Sequence, residues 1–218
     1  PMHDAGTVAT IRSVDWNGDG KLDLMVSGMG DPFGDATGGG VALYLNEGSS
    51  FGQAITLIEP SQKPKVTEPK RPDVGLHPEA VDIDGDGDLD LFVGGRVVGG
   101  KYPTTPNSYL LRNEGGNFID VTDAAALGLK QTGMVTSALF TDVDNDEQSD
   151  LLVAHEWGPV KYYHNINGTF TDQTEAAGLA ELTGWWNSLA SADFDLDGDL
   201  DYVVGNFGHN IKYHASTE

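Results

Sequence analysis

Four short segments carry most of the chemistry this chain can offer. Asp15-Trp16-Asn17-Gly18-Asp19-Gly20-Lys21-Leu22-Asp23-Leu24 is the first. It recurs as Asp82-Ile83-Asp84-Gly85-Asp86-Gly87-Asp88-Leu89-Asp90-Leu91, as Asp142-Val143-Asp144-Asn145-Asp146-Glu147-Gln148-Ser149-Asp150-Leu151, and as Asp193-Phe194-Asp195-Leu196-Asp197-Gly198-Asp199-Leu200-Asp201-Tyr202. Oxygen side chains at positions 1, 3 and 5 of such a loop alternate inward around a tight turn, and glycine at position 6 permits the reversal. Position 7 offers a backbone carbonyl and needs no particular side chain, which fits Lys21, Asp88, Gln148 and Asp199. An aspartate at position 9 then closes the cage. Hard oxygen donors on a flexible loop favour Ca²⁺, because Mg²⁺ takes fewer protein ligands in stricter octahedral geometry. Up to four Ca²⁺ ions are expected, one per loop. The third loop departs most, since Glu147 replaces glycine at position 6 and is expected to need a different backbone conformation.

An EF-hand would require a bidentate Glu at position 12. That position holds Val26, Val93, Val153 and Val204, which eliminates it. A lone Asp-Gly loop is adequately explained as a solvated turn; four in register are not. Eighteen of the 34 acidic residues lie in these loops, whose first aspartates are 67, 60 and 51 residues apart.

The elements that position the loops are short and apolar. Val8–Val14, Ala80–Val81, Val135–Phe140 and Leu189–Ala192 precede them, and Leu22–Val26, Leu89–Val93, Leu151–Val153 and Tyr202–Val204 follow; these runs are strand-sized. A third strand recurs with a shared ending, Tyr44-Leu45-Asn46-Glu47-Gly48, Leu111-Arg112-Asn113-Glu114-Gly115 and Tyr163-His164-Asn165-Ile166-Asn167-Gly168. Its Asn and Gly are read as the left-handed positions of a hairpin. A fourth strand follows from about Phe51, Phe118 and Phe170. Each unit is therefore four antiparallel strands with the acidic loop between the first two, and tandem units of this kind predict a β-propeller. The fold expected is all-β, with blades at about 7–60, 78–128, 134–182 and 185–218. The last is incomplete, reaching its third strand at Ile211–His214, so the array is expected to be part of a larger ring. Thr122–Leu129 and Thr174–Leu182 read as single helical turns between blades. Glu59–His77, rich in Pro and Lys/Arg, reads as an excursion or exposed loop.

Charge and composition narrow the function classes. With 34 acids against 12 bases the formal charge is −22, which opposes binding to nucleic acid or an anionic membrane surface. No apolar run is long enough to span a bilayer, so no membrane insertion is expected. The absence of cysteine removes disulfides, thiol catalysis and Cys-ligated metal sites. The opening Pro1-Met2-His3 shows no basic-then-apolar leader, which suits a processed chain or one cut from something longer.

The D-x-D-x-D-G-x-x-D-L loops resemble FG-GAP repeats, also called VCBS repeats, which build integrin-like propellers. More narrowly, three stretches resemble large bacterial secreted proteins related to cartilage acidic protein: Phe92-Val93-Gly94-Gly95-Arg96-Val97-Val98 through Ser108-Tyr109-Leu110-Leu111-Arg112-Asn113, His155-Glu156-Trp157-Gly158-Pro159-Val160, and Gly184-Trp185-Trp186-Asn187-Ser188. The resemblance implies seven- or eight-bladed rings with Ca²⁺-loaded blades serving adhesion, carbohydrate recognition or scaffolding.

An enzyme is not expected. His155-Glu156 lacks a second histidine four residues on, no G-x-S-x-G elbow or phosphate loop occurs, and nearly every clustered acid belongs to a loop. For binding, Trp157, Trp185, Trp186, Tyr162, Tyr163, Phe207, His155, His209 and Asn210 concentrate in the last two blades, where they either stack on a ligand or pack between blades. Arg96 either reads a ligand or pairs with a neighbouring blade's carboxylate; the remaining histidines are read as surface or turn residues. Asn167-Gly168-Thr169 fits a glycosylation sequon but also sits at a hairpin tip. The expected function is an extracellular or cell-surface, calcium-binding, non-catalytic module for adhesion or ligand recognition, its partner a glycan, a protein or the remaining blades of the ring. The alternatives are a structural building block of a surface assembly and an accessory domain of a polysaccharide-degrading enzyme.

Overall fold

The computed structural model describes residues 9–28, 39–59, 77–98 and 101–208. The expected third strand at 211–214, His209, Asn210 and most of the 59–77 connection lie outside the described residues. Apart from one helical turn, every regular element is a strand, as the alternating apolar runs require. Among the described residues no helix is long and apolar enough to cross a membrane.

Three antiparallel sheets are complete. The first is β1 (Ala9–Val14), β2 (Asp23–Gly28), β3 (Val41–Tyr44) and β4 (Ile55–Ile58), paired in chain order. The second is β5 (His77–Val81), β6 (Asp90–Gly94), β7 (Tyr109–Glu114) and β8 (Asn117–Asp120). After the helical turn α1 (Thr122–Ala125) come β9 (Met134–Thr141), β10 (Asp150–Pro159), β11 (Lys161–Ile166) and β12 (Thr169–Asp172), then β13 (Thr183–Ala192) and β14 (Asp201–Asn206) of a fourth unit. β1 lies beside β5, β5 beside β9, and β9 beside β13. Four-stranded meanders flanking one another through their first strands are the blades of a β-propeller.

The core lies between blades. β6 is buried on both faces, and alternation sends its side chains two ways. Leu91 and Val93 meet Met25 and Val41 of the first blade, while Phe92 meets Val135, Ala138, Leu151, Val153, Tyr163 and Phe170 of the third. The linker after β8 supplies Ala126 and Leu129 to that second cluster. Its start is fixed by a recurring Asp-x-Thr: Leu110 N–H donates to Thr122 Oγ1 at 2.9 Å, and Tyr162 N–H donates to Thr174 Oγ1 at 3.1 Å. The helical turn expected after Thr122 is present, whereas Thr174–Leu182 forms hydrogen-bonded turns only.

Two departures have local causes. In the first blade Phe51 makes only an isolated bridge to Asn46, and the fourth strand begins at Ile55. A tight turn, closed by Glu47 N–H to Ser50 O at 2.9 Å and Gly52 N–H to Leu45 O at 2.8 Å, uses up the residues between. The third and fourth blades are also not separate sheets. β10 pairs with β9 through Glu156, then with β13 through Glu156–Pro159. Bulges at Ala154/His155 and Glu156/Gly158 bend β10 off one neighbour and onto the next, as extra residues in a ladder do.

Candidate metal centres and an aromatic shelf

All four acidic loops connect a blade's first strand to its second, so they share one end of the array. Their backbones follow one hydrogen-bonding scheme. The position-1 carboxylate (Asp15, Asp82, Asp142, Asp193) accepts the amides of positions 5 and 6 at 2.8–3.2 Å. The position-5 carboxylate (Asp19, Asp86, Asp146, Asp197) accepts the position-7 amide at 2.8–3.0 Å. These bonds turn the chain so that side chains converge, those of positions 1, 3 and 9 in the second and third loops and those of positions 1, 3 and 5 in the fourth.

The convergence is measurable. One ligand atom each from Asp82, Asp84 and Asp90, from Asp142, Asp144 and Asp150, and from Asp193, Asp195 and Asp197 lie within 4.8 Å of one another. These Asp-rich clusters can hold a metal ion, and their all-oxygen donor sets suit Ca²⁺. In the first loop position 3 is Asn17, whose amide oxygen accepts the Asp19 N–H at 3.1 Å. There Lys21 places Nζ 2.8 Å from Asp19 Oδ2, and that hydrogen bond lowers the Asp19 pKa and raises that of Lys21. The ammonium acts as an internal counter-charge in the solvent-exposed loop. Asp88 and Asp199, at the same position, donate their amides to Asp86 and Asp197, while their carboxylates accept Gly115 N–H at 2.9 Å and Asn145 Nδ2 at 3.2 Å.

Glu147 does not alter the backbone. Position 6 is left-handed in every loop, with φ 81° at Gly20, 93° at Gly87, 69° at Glu147 and 98° at Gly198, so the expectation of a different conformation is corrected. Position 4 is also left-handed, at Gly18, Gly85, Asn145 and Leu196, which sequence spacing did not show. The two amides donated to Asp142 hold Glu147 in place against its intrinsic preference.

Position 9 does more than close a cage. Asp23, Asp90 and Asp150 are buried, and the Oδ2 of each, like that of Asp201, accepts the position-2 amide at 2.9–3.1 Å. Their Oδ1 atoms accept the backbone amides of Asn46, Asn113 and Asn165 at 2.6–2.7 Å. Each of these asparagines also donates from Nδ2 to the position-8 carbonyl at 3.0–3.1 Å. Its Oδ1 accepts the amide of Gly48, Gly116 or Gly168 at 2.7–2.9 Å. The recurring Asn is thus a clamp from the third strand onto the loop, not a left-handed turn residue; Gly48, Gly115, Gly116, Asn167 and Gly168 have the positive φ values. Burial raises the Asp90 pKa, against the lowering by its two amide donors.

The third loop has an additional neighbour that sequence reasoning set aside as a surface residue. His164 Nδ1 stands 3.1 Å from Asp150 Oδ1 and 3.5 Å from Asp144 Oδ2. Its position just before the clamp asparagine was the available signal.

At the opposite end, about 20 Å away over six residues of strand, the aromatic candidates separate. Trp157 is the bulge residue of β10, with φ 63°, and stacks obliquely on Trp185 at 4.7 Å; Phe207 meets Trp185 edge-on at 5.2 Å. Trp157 Nε1 donates to Tyr102 Oη at 2.7 Å, and Tyr102 Oη donates to Glu156 Oε1 at 2.7 Å. Arg96 pairs with the buried Glu156, as the inter-blade alternative anticipated. Trp157, Tyr102 and Phe207 remain 49%, 57% and 47% exposed, making a shelf across three blades. Sequence reading omitted Tyr102 and Glu156.

Four candidates leave this group. His155 is buried, with Nδ1 2.9 Å from Pro159 O and Nε2 3.1 Å from Thr132 Oγ1, and burial pushes its pKa down to about 4; no ligand can reach it. Trp186 follows Trp185 in the strand and so points to the other face, donating to Leu182 O at 3.2 Å. Tyr163 is wholly buried and Tyr162 nearly so; the latter donates to Asp150 Oδ2 at 3.1 Å. Between blades one and two, Arg12 pairs with Glu79. Burial outweighs Arg12 and raises Glu79 to about 7, while His77 falls to about 4 through burial and the charges of Arg12 and Arg96.

The loop register and the blade register agree with what known proteins show. The FG-GAP-like repeat family matches residues 15–93, 82–153 and 142–204, each span running from one loop into the second strand of the following blade. Cartilage acidic protein 1 of mouse is 40% identical over 60 residues, 27% of this chain and 9% of that protein. The human protein is 36% identical over 72 residues (32% and 11%) and the Xenopus tropicalis protein 30% over 97 (43% and 15%). The aligned stretches thus span 9–15% of the length of these relatives. With matches that cover most of its length and begin at its own aspartate loops, the chain belongs to the FG-GAP-like repeat family.

Proposed function

We propose that this chain is a calcium-stabilised segment of an extracellular, adhesion-type propeller that recognises a ligand and does no catalysis. The observation that carries it is the loop: four copies fold to one backbone scheme that converges oxygen side chains, and three of them bring ligand atoms within 4.8 Å. Carboxylates this close repel one another, and a divalent cation relieves that repulsion. Positions 1, 3, 5 and 9 would supply side-chain oxygens (Asp15, Asn17, Asp19, Asp23 in the first loop and their equivalents), and position 7 (Lys21, Asp88, Gln148, Asp199) its carbonyl. The ion would be structural, joining the first and second strands of each blade. The name of the cartilage acidic proteins supports a secreted location, and the remaining blades of a larger ring would complete the array.

A thermal melt in millimolar Ca²⁺, in excess chelator, and with Mg²⁺ in place of Ca²⁺ tests this. At a module-like Kd near 0.1 mM and extracellular Ca²⁺ of about 1–2 mM, each site adds roughly 1.5–2 kcal/mol. Four independent sites then raise Tm by more than about 10 °C. A melt unaffected by chelator would remove the calcium reading.

For recognition, the shelf of Trp157, Trp185, Phe207 and Tyr102 is the surface favoured, because Trp157, Phe207 and Tyr102 are about half exposed around Trp185 while the polar tips of Trp157 and Tyr102 are tied back to Glu156. Screening glycan and protein arrays with W157A and W186A separates the faces. A hit lost in W157A and kept in W186A supports the shelf; the reverse pattern overturns it. Concentration-dependent self-assembly without any array hit would support the building-block alternative.

A further inference from the structure

We propose that the third loop is a site for a borderline transition-metal ion of the Mn²⁺–Zn²⁺ series, with the His164 imidazole as its nitrogen ligand beside Asp144 and Asp146. This rests on the reading that the aspartate loops hold cations, and it sets the third loop apart from the first two.

The imidazole reaches the loop from a different strand. β10 and β11 pair Leu151 with Tyr163, so His164 falls opposite Asp150 at the mouth of the loop. One ligand atom each from Asp144, Asp146 and His164 lie within 4.8 Å of one another. Two ligands about 2.0–2.2 Å from a single ion stand roughly 3–3.5 Å apart at tetrahedral or octahedral angles. The 3.5 Å from His164 Nδ1 to Asp144 Oδ2 is that separation; the same nitrogen is 3.1 Å from Asp150 Oδ1, so an ion bound there replaces the proton shared with Asp150. Tyr162, hydrogen-bonded to Asp150 at 3.1 Å, lies with its ring 6.4 Å from the imidazole and limits its swing. Asp144 and Asp146 are exposed, so an ion has a path from solvent.

The other blades are internal comparisons. The residue before the clamp asparagine is Leu45 in the first blade and Arg112 in the second. Leucine has no donor atom, and a guanidinium, always protonated, has no lone pair to give; Arg112 pairs instead with Glu114. Those loops offer oxygen alone, which suits hard cations, whereas imidazole shifts preference toward Zn²⁺ and its neighbours. Among the three loops whose third strand is described, only the third therefore has an imidazole at its mouth, which gives that loop a different selectivity from the first two.

Co²⁺ reports imidazole ligation through its visible absorption and serves as the probe. The full chain in millimolar Ca²⁺ is titrated with Co²⁺, followed by absorption and calorimetry, and the retained Co²⁺ is then displaced with Zn²⁺. The titration is run in an H214L background, because Tyr213-His214 repeats Tyr163-His164 in the sequence of the fourth unit, and the expected result is one Co²⁺ retained against Ca²⁺ through His164. H164L and H164R, which install the residues of the first two blades, should weaken it by about tenfold or more while leaving the Ca²⁺-dependent melting shift in place. D144N should weaken Co²⁺ similarly without touching the histidine. Tight Co²⁺ binding that survives H164L, or Co²⁺ lost from all loops in parallel as Ca²⁺ rises, would overturn the proposal. If chelator leaves the melt unchanged yet one His164-dependent Co²⁺ site persists, the calcium reading falls and this proposal stands.

Discussion

Replacing the clamp asparagines by alanine should give a graded series. Asn165 is buried and makes three side-chain hydrogen bonds: Nδ2 to Ser149 O at 3.1 Å, Nδ2 to Ile83 O at 3.2 Å, and Oδ1 from Gly168 N–H at 2.9 Å. The bond to Ile83 crosses from the third blade to the second. Asn113 is also buried but makes two, to Leu89 O and from Gly116 N–H. Asn46 makes two at a more exposed position. At about 1 kcal/mol per bond, and more where a buried partner is left without one, N165A should cost about 3–4 kcal/mol, N113A about 2 and N46A about 1. For a chain of this size these correspond to Tm losses of about 6–16, 4–8 and 2–4 °C. The assay is a thermal melt in saturating Ca²⁺, so that differences in site occupancy do not enter. Asn165→Asp keeps the volume but sets an oxygen against Ser149 O and Ile83 O, and should lose at least as much as N165A. An N46A loss equal to that of N165A, or an N165A protein melting with the wild type, would refute the clamp as the join between strand, loop and neighbouring blade.

Three further outcomes follow from single side chains. Glu79, raised by burial from 4.5 to about 7, stabilises the fold fully below about pH 4.5, and that contribution is lost as pH rises through 7, because the unfolded chain releases the proton first. The stability of E79Q relative to wild type should therefore climb by about 3 kcal/mol between pH 4.5 and 7.5, read from urea melts across that range; a pH-independent difference would show that burial does not govern the group. E147G should melt about 1–4 °C higher in chelator, since glycine removes the cost of a left-handed side chain, of order 1–2 kcal/mol, and returns part of it as chain entropy; a lower Tm would mean that Glu147 has a partner worth more than its strain. Y102F removes the oxygen that links Trp157 to Glu156, so tryptophan emission should shift and stability fall by about 1–2 kcal/mol, whereas an unchanged spectrum would leave Trp157 held by packing alone.

The two ends of the blades obey different physics. At the loop end, like charges are brought together by backbone amides, and the arrangement is set by short-range bonds inside each repeat. At the shelf end, Tyr102, Glu156 and Trp185 arrive from three blades, and a bulge turns Trp157 over its neighbour.

The repeat, the all-β blades and the four aspartate loops were legible in the sequence because each is local. Positions 1, 3, 5 and 9 of a loop are fixed by one turn of backbone, and a strand's two faces by alternation. The tertiary structure alone decided what those residues meet across blades. The recurrent Asn was visible, but its bonds to a loop 15 or 23 residues away depend on the strand register. In sequence His155 reads as a binding candidate and Glu156 does not; both are buried, and their partners separate a packed imidazole from a carboxylate that anchors Arg96 and Tyr102. Trp185 and Trp186 read as a pair, yet adjacent residues in a strand face opposite sides, so a doublet supplies one ring to the shelf. Glu147 looked incompatible with its loop, and two amide donors to Asp142 hold it there. Composition and spacing determine which groups can act, while register, burial and the twist between blades determine which of them share a site, because those contacts join residues that the chain itself keeps tens of positions apart.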